Sequence, residues 1–202
     1  MADPNDVALI LDKLKLYINH PVPGQPFADI FPIFRDPALT EIVISHLVKY
    51  IRDNHDLIKI CAIVCLEARG FFFAPLVASR LSLPVIPVRK RGKLPGHVVS
   101  VEYEKDYGPD SFEMKDDAFE GIETAGKKVI LVDDLLGKGG SILAAKGLVE
   151  KLGVSVAECV FIFDIGGVPD YEEAINKNLV NVKRYAMITL TTTNMGAPII
   201  LN

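Results

Sequence analysis

Residues 129–145 read VILVDDLLGKGGSILAA, and this stretch decides the fold class. An apolar run rich in valine and isoleucine reads as a strand buried on both faces. It delivers two adjacent carboxylates, Asp133 and Asp134, at its C-terminal end, followed by Leu135 and Leu136. A loop of Gly137-Lys138-Gly139-Gly140 comes next, and Ser141 opens a helix. In open α/β sheets, ligands bind outside the carboxyl ends of the strands. Glycines let backbone N–H groups approach an anion closely, and a helix start adds unpaired N–H groups and a partial positive charge. The loop therefore suits a phosphate monoester, with the Ser141 hydroxyl as a further donor. Asp133 and Asp134 would repel that phosphate. They suit sugar hydroxyls, or a phosphate-bound Mg²⁺ linked to Asp133 through water. Together the two halves describe a site for ribose 5-phosphate.

Two similar patterns fit less well. A nucleotide-binding P-loop places its lysine directly before Ser or Thr, whereas Lys138 precedes two glycines. A receiver domain carries paired aspartates after its first strand, and here roughly half the chain precedes them. The plainest alternative is a tight strand–helix turn with Asp133 capping locally.

Outward from this stretch, strand-like and helical segments alternate, which predicts an α/β fold with a mainly parallel sheet flanked by helices. Residues 5–18 carry Val7, Ile10, Leu11, Leu14 and Ile18 at helical spacing. Asp36-Pro37 reads as an N-cap and first position of a second helix. Ile58 to Leu66 reads as a buried strand, Phe71 to Leu81 as a helix and Pro84 to Val88 as a strand. Residues 89–97, RKRGKLPGH, read as a mobile loop. A hairpin over Val98–Glu104 and Ser111–Met114 turns at Tyr107-Gly108-Pro109-Asp110. Beyond the central stretch come a helix at Ile142–Leu152, a strand at Val156–Phe163, a short helix at Tyr171–Asn178 and a strand at Ala186–Leu190. The segment after Thr191 carries no charge, and its Ile199, Ile200 and Leu201 suit an apolar patch or a partner.

Two further segments carry charge where chemistry could use it. Leu66-Glu67-Ala68-Arg69-Gly70-Phe71 also links a buried strand to a helix, and Arg69 could fork onto phosphate oxygens or simply pair with Glu67. Arg89, Lys90, Arg91 and Lys93 place four cations within five residues, either as a solvated run or as a lid over a polyanion.

Composition bounds the rest. The chain has 202 residues, which suits one domain. Its 22 basic and 26 acidic residues give a net charge of −4, against a general nucleic-acid binder. Three cysteines, Cys61, Cys65 and Cys159, are too few for a disulfide framework and lack zinc-ligand spacing, so they read as buried thiols. No apolar run approaches a membrane span, and the N-terminus lacks a signal pattern, so the expectation is a soluble, cytoplasmic protein without membrane or nucleic-acid partners.

At the three charged segments the sequence resembles the type I phosphoribosyltransferases, and among them the adenine-specific branch. VILVDDLLGKGGS resembles the motif for 5-phosphoribosyl 1-diphosphate (PRPP), LEARGF the pyrophosphate loop and RKRGKLPG the flexible loop. Further matches are PVPGQPFADI at 21–30, FRDP at 34–37 and DYGPDSFEM at 106–114. The resemblance implies a single domain with a hood over residues 1–35, a flexible loop and hairpin over 89–115 and a tail over 191–202. It implies formation of AMP and pyrophosphate from adenine and PRPP with Mg²⁺, by a homodimer. It implies that Asp133 and Asp134 hold the ribose hydroxyls and that residues 137–141 wrap the 5′-phosphate. Glu67, Ala68 and Arg69 would meet the pyrophosphate through a non-trans peptide, joined by Arg89, Lys90 and Lys93, partly across the dimer. Pro26, Phe27, Ala28 and Leu135 would form the base slot, and Asp106 and Tyr107 would lie near the reacting atoms with Arg69.

The chain departs from the family pattern at four places. Asp106 stands where Glu is common, Gly137-Lys138 where Ala-Thr is common, Ala28 where Arg is common, and Cys65 where Gly is usual. These departures leave open another purine base, or a weakly active or silent nucleotide-binding paralogue.

Overall fold

The structure is a computed structural model describing residues 2–18, 20, 27–105, 108–191 and 199–201. The chain opens with helix α1 (Pro4–Lys13), capped by the Asp3 carboxylate, which accepts from the Asn5 N–H at 2.8 Å. The expected helix over 5–18 is shorter. Leu14 turns extended at ψ 129°, and strand β1 (Lys15–Ile18) follows. Ile18, which the helical spacing included, lies in β1, because tertiary pairing overrides a short helical pattern. β1 pairs antiparallel with β2 (Phe27–Asp29) and parallel with the C-terminal strand β10 (Ile199–Leu201). The uncharged end of the chain thus completes a three-stranded hood sheet. The expected stop at 20–24 falls on residues outside those described, apart from His20.

A short turn of helix, α2 (Phe31–Phe34), leads to α3 (Pro37–Asn54), with the Asp36 carboxylate accepting from Ala38 N–H at 2.9 Å and proline at the first helical position. Next come β3 (Ile60–Leu66), α4 (Ala74–Leu81) and β4 (Val85–Lys90). Residues Arg69–Phe72 form a separate 3₁₀ turn ahead of α4. The hairpin is β5 (Val98–Lys105) and β6 (Gly108–Lys115), so Gly108–Asp110 belong to a strand rather than to the turn. Then follow β7 (Lys128–Leu136), α5 (Gly140–Lys151), β8 (Ser155–Gly167), α6 (Pro169–Asn178) and β9 (Arg184–Thr191).

The main sheet runs β5-β6-β4-β3-β7-β8-β9, parallel from β4 to β9 and antiparallel at the hairpin. From β3 the chain proceeds outward through α4 to β4. From β7 it proceeds the other way through α5 to β8. α4 packs on one face with α3, and α5 on the other with α6. Strand order therefore reverses between β3 and β7, and this opens a crevice at their carboxyl ends. The apolar runs are explained by double burial, since every residue of β3 is buried. Cys61 and Cys65 lie in different core clusters, and burial pushes the Cys65 and Cys159 thiols up to about 12.

One buried polar cluster pins α3 to the sheet away from the crevice. Glu158 on β8, 1% exposed, accepts from the Tyr50 hydroxyl at 2.9 Å and meets His55 Nε2 at 2.6 Å. Tyr50 also stacks on Tyr185 of β9 at 3.5 Å. Glu158→Ala would leave the Tyr50 hydroxyl and the His55 ring without their acceptor, and is expected to lower unfolding free energy by about 3 kcal/mol, read by urea denaturation.

Candidate active site

The crevice between β3 and β7 is a cavity of about 450 Å³ lined by Glu67, Ala68, Arg69, Lys90, Phe112, Asp133, Asp134, Leu135 and Ser141. Three loops that are distant in sequence meet there because β3, β4 and β7 are adjacent and parallel.

Asp133 and Asp134 lie inside β7 rather than beyond it. The strand continues to Leu136, with Asp133 in register with Phe161 of β8 and Leu135 with Phe163. Alternation sends the two carboxylates to opposite faces. Asp134 is 3% exposed, and Asp133 is partly exposed. Burial raises both pKa values, most strongly that of Asp133, which also feels the charge of Asp134. The Asp133 side chain accepts from the Asp134 N–H at 3.0 Å. Gly70 fits against this strand closely. A Cβ there would lie 3.3 Å from the Val132 carbonyl and 3.4 Å from Asp133 Oδ1.

Arg69 is the connecting group. Its Nε lies 3.0 Å from Asp134 Oδ2, its Nη1 donates to the Ala28 carbonyl at 2.9 Å, and its guanidinium carbon stands 5.0 Å from the centre of the Phe27 ring. The contact with Asp134 is one of charge, since among the described residues no donor is aimed at Oδ2. The simple pair of Arg69 with Glu67 is therefore not what forms. Glu67 instead takes Arg89, at 3.1 Å from Nε, and accepts from the Lys90 N–H at 2.9 Å. Burial alone would push the Glu67 carboxyl up, but these bonds hold it below its usual value. The Glu67–Ala68 peptide is cis.

Lys90 lines the cavity, while the Arg89 side chain turns to Glu67 and to the Lys93 carbonyl, at 3.3 Å. Both Arg89 and Lys90 belong to β4, so the basic loop begins later than the sequence suggests. That loop is held at Gly92, whose N–H donates to buried Glu113 at 2.9 Å. Gly139 caps α5 at φ +90°, with Gly140 as the first helical residue and Ser141 at the cavity wall. Lys138 is exposed, its Nζ 5.8 Å from the centre of the Tyr171 ring. Leu136 is buried beneath the loop at 2% exposure. Pro26, Asp106 and Tyr107 lie outside the described residues.

Sequence reasoning missed Tyr103. Its hydroxyl meets Asp110 Oδ2 at 3.3 Å and also bonds to Ser141, which ties the hairpin to the glycine loop. Lys90 Nζ reaches the same Asp110 oxygen at 3.8 Å. Nothing in the linear sequence marks these contacts, because they join β4, the hairpin and α5.

This arrangement sets two anion-accepting features, the glycine loop and the cations around β4, on either side of paired carboxylates. Residues 33–189 match the family model for the phosphoribosyl transferase domain. The chain belongs to the phosphoribosyltransferase family. It is 42% identical over 153 residues to an adenine phosphoribosyltransferase of Yarrowia lipolytica, covering 76% of this chain and 82% of the relative. It is 40% identical over 163 residues to adenine phosphoribosyltransferase 1 of Saccharomyces cerevisiae, covering 79% and 85%. The solved structure of the Saccharomyces cerevisiae adenine phosphoribosyltransferase, complexed with an imino-altritol bisphosphate and adenine, superposes with a TM-score of 0.80 at 34% identity, over 92% of this chain and all of that one.

The raised Asp133 carboxyl has a signed consequence. The folded chain keeps a proton there that the unfolded chain releases near pH 4, so this group costs stability as pH rises from about 4 through its folded value. Asp133→Asn is expected to raise the melting midpoint of the ligand-free protein by a few degrees at neutral pH, each kcal/mol being worth about 2–4 °C at this length. The gain should vanish below about pH 4, as read by melts across a pH series.

Proposed function

We propose that this phosphoribosyltransferase makes AMP and pyrophosphate from adenine and PRPP. The observation that carries the reading is the cavity itself, where paired carboxylates stand between a glycine loop at a helix start and a cluster of cations. In the reaction the C1–oxygen bond to pyrophosphate breaks and a C1–N9 bond forms, with the N9 proton lost. Asp133 and Asp134 accept from the ribose hydroxyls, and raised carboxyls that gain donors on binding become better acceptors. Residues 137–141 hold the 5′-phosphate through backbone N–H groups, with Ser141 and Lys138 adding donors. Lys90, with Ala68, Arg69, Arg89 and Lys93, stabilises the negative charge that grows on pyrophosphate. Phe27, the backbone at Ala28 and Pro26, and Leu135 form the base slot. The resemblance to the family gives Asp106, with Tyr107, the task of managing the base's proton.

Mg²⁺ fits this site as a passenger on PRPP. Among the described residues no group of three or more His, Cys, Asp or Glu could cage a metal, whereas Asp133 and Asp134 both line the cavity with carboxyl pKa values raised by burial. Asp133 would hold it through water, and when bound it neutralises the pyrophosphate oxygens.

The same reading includes a homodimer. Phe31, Phe72 and Leu76 expose 39%, 52% and 48% of their surface, and the Phe31 and Phe72 rings meet at 5.2 Å beside the Arg69 turn. Apolar side chains exposed at the pyrophosphate loop suit a second copy of the chain. Among the described residues no helix is long and apolar enough to cross a membrane, and three buried free thiols suit a cytoplasmic setting.

Turnover of adenine, hypoxanthine, guanine and xanthine with labelled PRPP tests the base. Adenine alone is expected to yield nucleotide at an appreciable rate, with dependence on Mg²⁺ and complete loss in Asp133→Ala/Asp134→Ala. Product from another base, or none from any, overturns the reading. For the dimer, Phe72→Asp is expected to halve the mass in sedimentation and to reduce turnover at least about tenfold.

A further inference from the structure

The glycine loop after β7 is held from behind as well as from its own strand and helix. Three side chains of α6 and the residue after it converge on Lys138 and Gly139. The Asn178 side-chain amide donates to the Lys138 carbonyl at 2.8 Å. The Tyr171 ring faces Lys138 Nζ at 5.8 Å. Leu179, 1% exposed, fills the space beside Gly139 so fully that a Cβ there would lie 3.0 Å from its Cγ and 3.2 Å from each methyl carbon. None of the three lines the cavity.

We propose that Asn178, supported by Tyr171 and Leu179, is a positioning residue for the 5′-phosphate of the nucleotide. The inference rests on reading this loop as the phosphate cradle. The Lys138 carbonyl and the Gly139 N–H belong to one rigid peptide unit and point in opposite directions. A donor fixed on the carbonyl therefore fixes the direction of the N–H. It also removes a rotation that the loop would otherwise have to give up when phosphate binds, which is a gain from preorganisation. Leu179 sets the depth of the same unit, because it leaves room for glycine alone at 139 and Gly139 already holds φ +90°.

This role has a selective signature. PRPP and AMP carry the 5′-phosphate, while adenine and free pyrophosphate do not. Loss of the Asn178 amide should weaken the first two and spare the others.

The test measures ribose 5-phosphate and AMP binding by calorimetry for the parent chain and Asn178→Ala, together with KM for all four reactants. Expected in Asn178→Ala are a fivefold to tenfold weaker binding of both probes and a similar rise in KM for PRPP and AMP (the scale of about one lost hydrogen bond). KM for adenine and pyrophosphate should stay within about twofold. Parent-like binding of ribose 5-phosphate by the variant overturns the proposal, as does failure of the parent to bind it. A uniform change in all four KM values also overturns it, since that marks a general structural role. A parent that binds ribose 5-phosphate but makes no AMP sinks the proposed activity, while weaker binding by Asn178→Ala would still uphold the brace. If Asn178→Ala does not fold, Tyr171→Leu repeats the test with an expected twofold to threefold loss on the same two ligands.

Discussion

Two carboxylates adjacent in sequence sit in the end of a buried strand, and the organisation of the site follows from the need to hold them. Asp133 and Asp134 alternate along β7 yet both line the cavity, and the Arg69 guanidinium favours the charged form of each. Arg69 contacts Asp134 directly, while Asp133 accepts from the Asp134 N–H and its pKa is raised, chiefly by burial. This is a ligand-free arrangement set against its own stability. A carboxylate whose charged form is disfavoured by burial gains from any donor brought to it. Active sites commonly trade stability for function in this way.

Arg69 extends that constraint into the hood. Its guanidinium bridges the Asp134 carboxylate, the Ala28 carbonyl and the Phe27 ring, so β2 and β7 share one side chain. β2, which carries Phe27 and Ala28, is paired to β1, and β1 to the C-terminal β10. β10 is thereby structurally continuous with the strand that Arg69 contacts. On the opposite side, the hairpin reaches the glycine loop through Tyr103 and Ser141, and α6 reaches it through Asn178. Two elements that the chain lays down far apart, the hairpin and α6, thus bear on one short turn.

Legibility in the sequence followed the range of the interaction. The strand–glycine–helix stretch, the Asp36-Pro37 start of α3 and the burial of β3 are readable from neighbours within a few positions, although the expected strand start at Ile58 is an exposed 3₁₀ turn. The N-terminal segment was misread in part. Ile18 fits the helical spacing, and only the pairing of β1 with β2 and β10 places it in a strand. The basic run was likewise divided by the structure. Arg89 and Lys90 close β4, where ladder pairing with Phe112 and Glu113 holds them, and the loop begins after them. The partners of Arg69 and Glu67 could not be read either, since the nearest opposite charge in sequence was not the nearest in space.

By itself the sequence determined the class of fold and the place of the glycine turn after the paired carboxylates, because periodicity and glycine placement are local chemistry, while the family was legible through resemblance to known motifs. The tertiary structure alone decided which cation meets which carboxylate, that the uncharged C-terminus becomes a hood strand, and that α6 braces the glycine loop. Those outcomes depend on strand order and on the reversal between β3 and β7. That reversal brings together residues many tens of positions apart, and no short window of sequence records their proximity.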